Sequence, residues 1–537
     1  MSVDRRADWI ARLANLGDTH EALRFKGRRL SYAELGAAAK ATADRLIALG
    51  IEPGDLVAVL AAPSVEGIVL IHAMLATGVV MLPLNARLTE AEQREAIAST
   101  AARYLVVPGP GARTSESRGH RLVGETGCGL VAMDLAEDGV AADLKILVAA
   151  SSGIDETARI RRSQRVGERA ALVLRTSGTS GRPKGAILAF DHLMASAHAS
   201  AALLGSEASD RWLLCMPIFH IGGLSILIRS ARVGACVVVH ERFEARDVAC
   251  AIEDEGITRV SFVPTMLERV LEVRGDERAP KALSLVLLGG GPVAADLLER
   301  AGRLGYPIAP TYGLTEAASQ VATRPPRRYA CAGHDSHESH DSHASHERGV
   351  GRDGEDLAAG LEVLPGVEIR IVDADRDRVA AGVAGEIQVR GPIVMCGYLE
   401  DPKATHEALR DGWLSTGDVG CLDEDGRLRV LDRRADLIVS GGENIYPAEV
   451  ESILVESADV LEAGVYGIPD SEFGARPAAA LVLREGAVFD SDALSAFCAH
   501  RMARYKCPVE FKRVDELPRT ATGKLLRRVL RDRWEGR

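Results

Sequence analysis

The sequence has no excess of basic residues, no paired cysteines, no membrane-length apolar run and no apolar leader, and each absence argues against a class of function. Lysine and arginine number 65 against 76 acidic residues, for a net charge of −11. A general nucleic-acid binder would carry a basic excess instead. Nine cysteines are present, but no two stand in a CxxC spacing. Neither a zinc ribbon nor a disulfide framework is therefore expected, and free thiols suit a reducing compartment. The opening residues, MSVDRRADWIARL, carry charge and no apolar core, unlike a secretory leader. The most apolar stretch, Ile68 to Leu84, is interrupted by His72, Thr77, Gly78 and Pro83. It falls short of the ~20 apolar residues that cross a bilayer and reads as a buried helix followed by a strand. The expected location is the cytoplasm.

What is present is an ordinary globular composition on a long chain. The 537 residues are 47% hydrophobic and 26% charged, enough for several domains of about 150 residues and for a large core. Strand-like runs (Leu56–Leu60, Val79–Leu82, Leu213–Met216, Ala235–Val239, Val260–Val263, Leu285–Leu288) alternate with helical patterns (Val65–Ala76, Ala245–Glu255, Val293–Leu304). That alternation predicts α/β architecture with largely parallel sheets. Glu362–Leu431 reads differently, as a β-rich subdomain of short strands and Asp/Gly turns. After it comes a compact α+β unit. The expected division is residues 1–431, a hinge at 432–436, and 437–537. Residues 331–349 contain His334, His337, His340, His343 and His346 at a strict spacing of three. Their polar surroundings cannot offset the entropy of ordering, so a disordered surface insertion is expected, with a metal-binding tract as the other reading.

The strongest chemical signal begins at Ala171, in ALVLRTSGTSGRPKGAIL. A strand leads into Thr176, Ser177, Gly178, Thr179, Ser180 and Gly181, with Lys184 close behind. Glycines let backbone N–H groups turn toward an anion, hydroxyls add donors and lysine adds charge. A Walker A loop is excluded because Gly185, not Ser or Thr, follows the lysine. A helix is expected to start near Asp191 as its N-cap. Further along, Gly289, Gly290 and Gly291 end a strand. Tyr312, Gly313, Thr315 and Glu316 bring together an aromatic for a base, a hydroxyl for phosphate and a carboxylate for Mg²⁺. Asp418 is expected on a glycine-flanked turn, suited to a ribose diol. Gly441 and Gly442 follow a basic turn and a strand and lead into a helix, and Lys524 starts the last helix.

Motifs in this order resemble the adenylate-forming superfamily of acyl-CoA synthetases, peptide-synthetase adenylation domains and luciferases, over roughly residues 20–530. The resemblance implies a large N-terminal domain of two mixed or parallel α/β sheet subdomains plus a β-rich subdomain, and a small α+β C-terminal lid. It implies two half-reactions, in which ATP and a carboxylate give an acyl-adenylate and a thiol such as CoA then displaces AMP. Thr176 to Lys184 match its phosphate loop, and Gly289–Gly291 with Tyr312 its adenine pocket. Thr315 and Glu316 match its phosphate and Mg²⁺ positions, Asp418 and Arg433 its ribose ligands, and Lys524 its adenylation lysine. Gly441 and Gly442 match the loop lining the thiol tunnel. The hinge position often holds Asp or Lys in the family but is Ala435 here, which assigns that role to backbone. The segment Cys215–Ser230 is most similar to the branch that activates o-succinylbenzoate for menaquinone biosynthesis. It offers His220 and Arg229, with Ser319 and Gln320, as acyl-pocket candidates. Another aryl or medium-chain acid, loading of a carrier protein, and a nucleotide-binding pseudoenzyme stand as alternatives.

Overall fold

The computed structural model describes residues 7–60, 62–108, 112–124, 126, 128–135, 142–148, 170–177, 183–291, 293, 295–326, 360–432, 437–518, 525 and 527–534. The histidine-rich segment, Gly178–Gly181, Arg433, the hinge at Ala435 and Lys524 lie outside them.

The described strands form four sheets. One has nine strands, in the order Glu362–Val363, Ser319–Thr323, Ile308–Leu314, Leu285–Leu288, Arg259–Phe262, Arg211–Leu214, Cys236–Val239, Glu21–Phe25, Arg28–Ser31. Its central pairings are parallel and its edge pairings antiparallel. A second sheet of eight strands is parallel from Ala170–Ser177 through Val80–Leu84, Leu56–Leu60 and Tyr104–Pro108 to Gly129–Leu135. Parallel strands buried on both faces read as continuous apolar runs, and Val80–Leu84 is buried at every residue. The broken apolar stretch is a helix and then a strand, as expected. Ser64 caps helix Val65–Thr77 by accepting from the Gly67 amide, and Gly78 ends it in the left-handed conformation. No helix among the described residues is long and apolar enough to cross a membrane.

The β-rich part is a five-stranded antiparallel sheet built on Glu368–Val372, Gly385–Arg390 and Trp413–Leu422. One short helix, Pro402–Ala408, lies within it. Ile371, Ile387 and Val389 of this sheet share a core with both large sheets, which makes a single large N-terminal domain. The fourth sheet belongs to a small C-terminal domain and has its own apolar cluster on each face.

Two local expectations are corrected. Helix Phe190–Leu204 has Ala189 at its N-cap, with Asp191 inside the first turn, where a carboxylate favours the positive end of the helix dipole. The chain after Ser440 does not pass straight into a helix. It first forms a hairpin, Ile438–Ser440 with Glu443–Ile445, across Gly441 and Gly442. Its helix, Pro447–Leu454, follows.

Candidate active site

A cavity opens at the carboxyl ends of the parallel strands in the nine-stranded sheet, where open α/β sheets bind ligands. Gly289 and Gly290 line it beyond Leu285–Leu288, and Thr311, Gly313, Thr315 and Glu316 line it along and beyond Ile308–Leu314. Thr416 and Asp418 enter from the β-rich sheet, and Gly442, Asn444 and Tyr446 from the C-terminal domain. Sequence-distant candidates therefore converge on one space.

Asp418 is not on a turn. It sits within the ten-residue strand Trp413–Leu422, where Gly417 and Val419 are exposed and Thr416 and Asp418 are buried. The period-two geometry of a strand turns those two toward the cavity. The Tyr312 hydroxyl donates to Asp418 Oδ2 at 2.7 Å. Tyr312 is itself 1% exposed, and its hydroxyl braces the carboxylate.

Glu316 follows in a short 3-10 turn, Thr315–Ala317. Tyr398 donates to its Oε1 at 3.0 Å. The Lys184 ammonium lies 5.2 Å from the centre of the Tyr398 ring, a cation–π distance. Strands Ala170–Ser177 and Pro183–Ala189 pair antiparallel and set Thr176 opposite Lys184, so the two ends of the phosphate loop stand side by side, with Lys184 next to the tyrosine that holds Glu316. No hydrogen bond or ion pair among the described residues engages Glu316 Oε2. A carboxylate oxygen with a hydroxyl beside it suits a hard, oxygen-seeking cation such as Mg²⁺.

The other end of the cavity is built from helix Ile221–Val233. Ser225 and Arg229 are four residues apart and so share a face. Arg229 is 2% exposed and donates from Nη2 to Ser319 Oγ at 3.0 Å. Its guanidinium lies over the Trp212 ring, 5.7 Å from the centroid, and its Nε has no hydrogen-bond partner. No carboxylate among the described residues pairs with it, and burial pushes its pKa down to about 9. It remains a cation at neutral pH.

Ser319 reaches Arg229 through unusual backbone. Ala318 and Ser319 both have positive φ, 49° and 101°, a conformation costing about 1–3 kcal/mol per non-glycine residue. Ser196 holds the turn by donating to the Ala318 carbonyl at 2.7 Å. A Cβ on Gly313 would lie 1.8 Å from the Ser319 carbonyl oxygen, so glycine is required there. Gln320 lines the cavity as well. Its Oε1 accepts from Ser200 at 2.6 Å and its Nε2 donates to Thr323 at 2.8 Å, which makes it a support for the turn.

His220 stands at the N-cap position of the same helix without a side-chain cap bond, and its Nε2 meets Oε2 of Glu443 in the C-terminal hairpin at 2.9 Å. Burial works against the Glu443 carboxylate, but hydrogen bonds from His220 and Asn85 and the charges of His220 and Arg87 hold its pKa below the ordinary value. Gly442 has φ +85°, and a Cβ there would meet Met266 at 3.4 Å. The hairpin thus closes one wall of the cavity. Sequence reasoning missed Glu443, Tyr398, Trp212 and Ser225. Only Glu443 carried a signal, standing next to the two glycines.

A family model described as AMP-binding enzyme matches residues 11–399. The chain belongs to the AMP-binding enzyme family. A model of the AMP-binding enzyme C-terminal domain matches residues 449–524. The 2-succinylbenzoate–CoA ligase of Bacillus licheniformis is 38% identical, covering 97% of this chain and 99% of that protein. Among solved structures, o-succinylbenzoate CoA synthetase from Bacillus subtilis matches in two states, each over 98% of both chains. A double mutant bound to the product analogue OSB-NCoA gives a TM-score of 0.79 at 34% identity. The complex with the acyl-adenylate OSB-AMP gives 0.64 at 35% identity. This AMP-binding enzyme therefore has an overall arrangement nearer the first state, with hairpin Ile438–Ile445 at the cavity.

Proposed function

We propose that this AMP-binding enzyme is an ATP-dependent acid–CoA ligase converting 2-succinylbenzoate, ATP and CoA to 2-succinylbenzoyl-CoA, AMP and diphosphate. The reading places it in the cytoplasm, in menaquinone biosynthesis. Its domains are residues 1–431 and 437–537, joined by a hinge at 432–436. In the first half-reaction the aliphatic carboxylate of the acid attacks the α-phosphorus of ATP. A carboxyl–phosphorus bond forms and the bond to the β-phosphate oxygen breaks, releasing diphosphate. In the second, the CoA thiol gives its proton to solvent and its sulfur attacks the acyl carbon, the bond between that carbon and the bridging oxygen breaks, and AMP leaves with that oxygen and the electron pair.

The roles rest on the match of each residue to the family's motifs. Thr176 to Lys184 cradle the phosphates, Gly289–Gly291 and Gly313 border the base, and Asp418 with Arg433 takes the ribose hydroxyls. Glu316 would hold Mg²⁺, which supplies charge neutralisation for the triphosphate, and the Thr315 hydroxyl would meet a phosphate. Lys524 stabilises the charge that grows at the α-phosphate during adenylation. Gly441 and Gly442 leave room for the pantetheine arm of CoA. The closer match to the product-analogue state supports reading the described arrangement as the one used for thioester formation.

The observation that carries the choice of acid is Arg229. A buried cation that pairs with no carboxylate is costly and calls for an anion from outside. 2-Succinylbenzoate has a second carboxylate on its ring, which must be held without reacting. A thioester-forming assay with ATP and CoA across a panel of carboxylic acids tests this. 2-Succinylbenzoate should give the highest kcat/KM, and a monocarboxylic acid outperforming it would remove the assignment.

A further inference from the structure

The two domains also meet along the segment that leads into a helix of the N-terminal domain, behind the hairpin that walls the cavity. Helix Glu90–Thr100 of the N-terminal domain starts with a capping box. Thr89 donates from both its amide and its hydroxyl to Glu92 Oε2, each at 2.8 Å. That leaves the other carboxylate oxygen aimed outward by a rigid helix cap. Lys506 of the C-terminal domain donates to Glu92 Oε1 at 2.8 Å and to Glu449 Oε1 of its own domain at 2.8 Å. The side chains of Lys506, Glu92 and Glu449 are 7%, 13% and 11% exposed. Beside them Asn85 donates to Glu443 Oε2 at 3.2 Å and to the Tyr505 hydroxyl at 3.3 Å. Arg87 pairs with Glu443 at 3.0 Å. The segment Asn85–Glu92 is thus a dock that touches the C-terminal domain at three residues.

The distribution of charge makes this dock reversible. Glu449 and Lys506 travel together, because both belong to the C-terminal domain. When that domain turns away, Lys506 keeps one carboxylate, and Glu92 keeps its cap hydrogen bonds and gains water. No buried charge is stranded, which is what makes breaking most buried ion pairs expensive. In the arrangement described, Lys506 stands between the two carboxylates and shields them from each other.

We propose that Lys506 is a positioning residue for the thioester half-reaction. It latches the C-terminal domain onto the Glu92 helix cap in the arrangement that brings Gly442 to the cavity, and it takes no part in adenylation. The inference rests on the two-step reading above.

The test uses the full-length enzyme and the variants Glu92→Gln and Lys506→Met. Glu92→Gln leaves the C-terminal domain untouched, so its effect there is not one of misfolding. CoA affinity in the presence of AMP is measured first, since it needs no acid substrate. Both variants should bind CoA at least tenfold more weakly while AMP affinity stays within twofold. Thioester formation from preformed acyl-adenylate should slow by a similar factor, while diphosphate release in a single turnover with ATP and acid stays within twofold. The double variant should be no worse than Lys506→Met alone, as expected for two residues sharing one contact. Unchanged CoA affinity, or equal loss in both half-reactions, would overturn the latch. If 2-succinylbenzoate proves not to be the acid, the wild type releases no diphosphate with it, and the CoA–AMP measurement still decides the role of Lys506.

Discussion

Replacing Arg229 with leucine separates recognition of the acid from every other part of the site. Among the described residues the guanidinium donates a hydrogen bond to Ser319 and faces Trp212. A ring carboxylate bound there would gain a charge-assisted hydrogen bond, about 1.5–3 kcal/mol for a charged group. At 1.4 kcal/mol per tenfold, its loss corresponds to roughly a 10- to 150-fold rise in KM for 2-succinylbenzoate. Leucine fills part of the space, and the Ser319 hydroxyl stays to meet the carboxylate, so the lower half of that range is expected. The comparison acid is 4-phenyl-4-oxobutanoate, which lacks the ring carboxylate and leaves Arg229 without an anion in the wild type. Its KM should hold or fall in Arg229→Leu, and the wild-type preference for the dicarboxylate should shrink toward parity. ATP binding is read at the other end of the cavity, so KM for ATP should stay within twofold. Steady-state kcat/KM for both acids, with thermal melting as a folding control, measures all of this. An equal loss on both acids would refute the reasoning, because Arg229 would then be supporting the pocket wall and not reading the carboxylate.

Lys524→Ala should slow diphosphate release by about 10²–10³, the usual cost of a lost transition-state donor, while preformed acyl-adenylate and CoA still give thioester; a uniform loss would remove the two-arrangement scheme. Gly442→Leu should do the reverse, because its positive φ resists a side chain and Gly442 lines the cavity where the C-terminal hairpin walls it; first-turnover diphosphate should survive and acyl-CoA should not. The pKa of His72, buried beneath Trp9 and accepting its indole N–H, is pushed from 6.5 down to about 4 by burial. Its folded pKa lies below its unfolded one, so the neutral ring's stabilisation is complete above pH ~6.5 and lost as pH falls through about 4, roughly 3 kcal/mol in all at 1.36 kcal/mol per pKa unit. His72→Gln should lose less unfolding free energy than the wild type between pH 7 and 4.5, and parallel curves would clear His72 of that role.

Much of this protein could be read from its residues in order. Buried parallel strands such as Leu56–Leu60 and Leu285–Leu288 announce themselves because both faces must be apolar. The break between helix Val65–Thr77 and the next strand is marked by Gly78, which tolerates the left-handed turn. The phosphate loop, the glycines after Leu288 and the order of the motifs are local chemistry, and local chemistry is written in consecutive residues. Asp418 shows where that ends. Glycines on either side suggested a turn, yet pairing with Gly385–Arg390 keeps the segment extended, because sheet hydrogen bonds come from a distant strand.

The same limit applies to each residue whose meaning lies in its partner. Nothing in the sequence around Arg229 names its partner; the fold buries it against Trp212, with no carboxylate of the described residues paired to it. Glu443 meets His220 across 223 positions of sequence, and Lys506 meets Glu92 across 414. The sequence by itself determined the family, the α/β layers and the residue types of the nucleotide site, since periodicity and short motifs encode these over tens of residues. Tertiary structure alone decided which charges are buried, which carboxylate each cation meets and which wall the C-terminal hairpin closes. Burial and pairing depend on contacts between segments hundreds of residues apart, and no local pattern carries them.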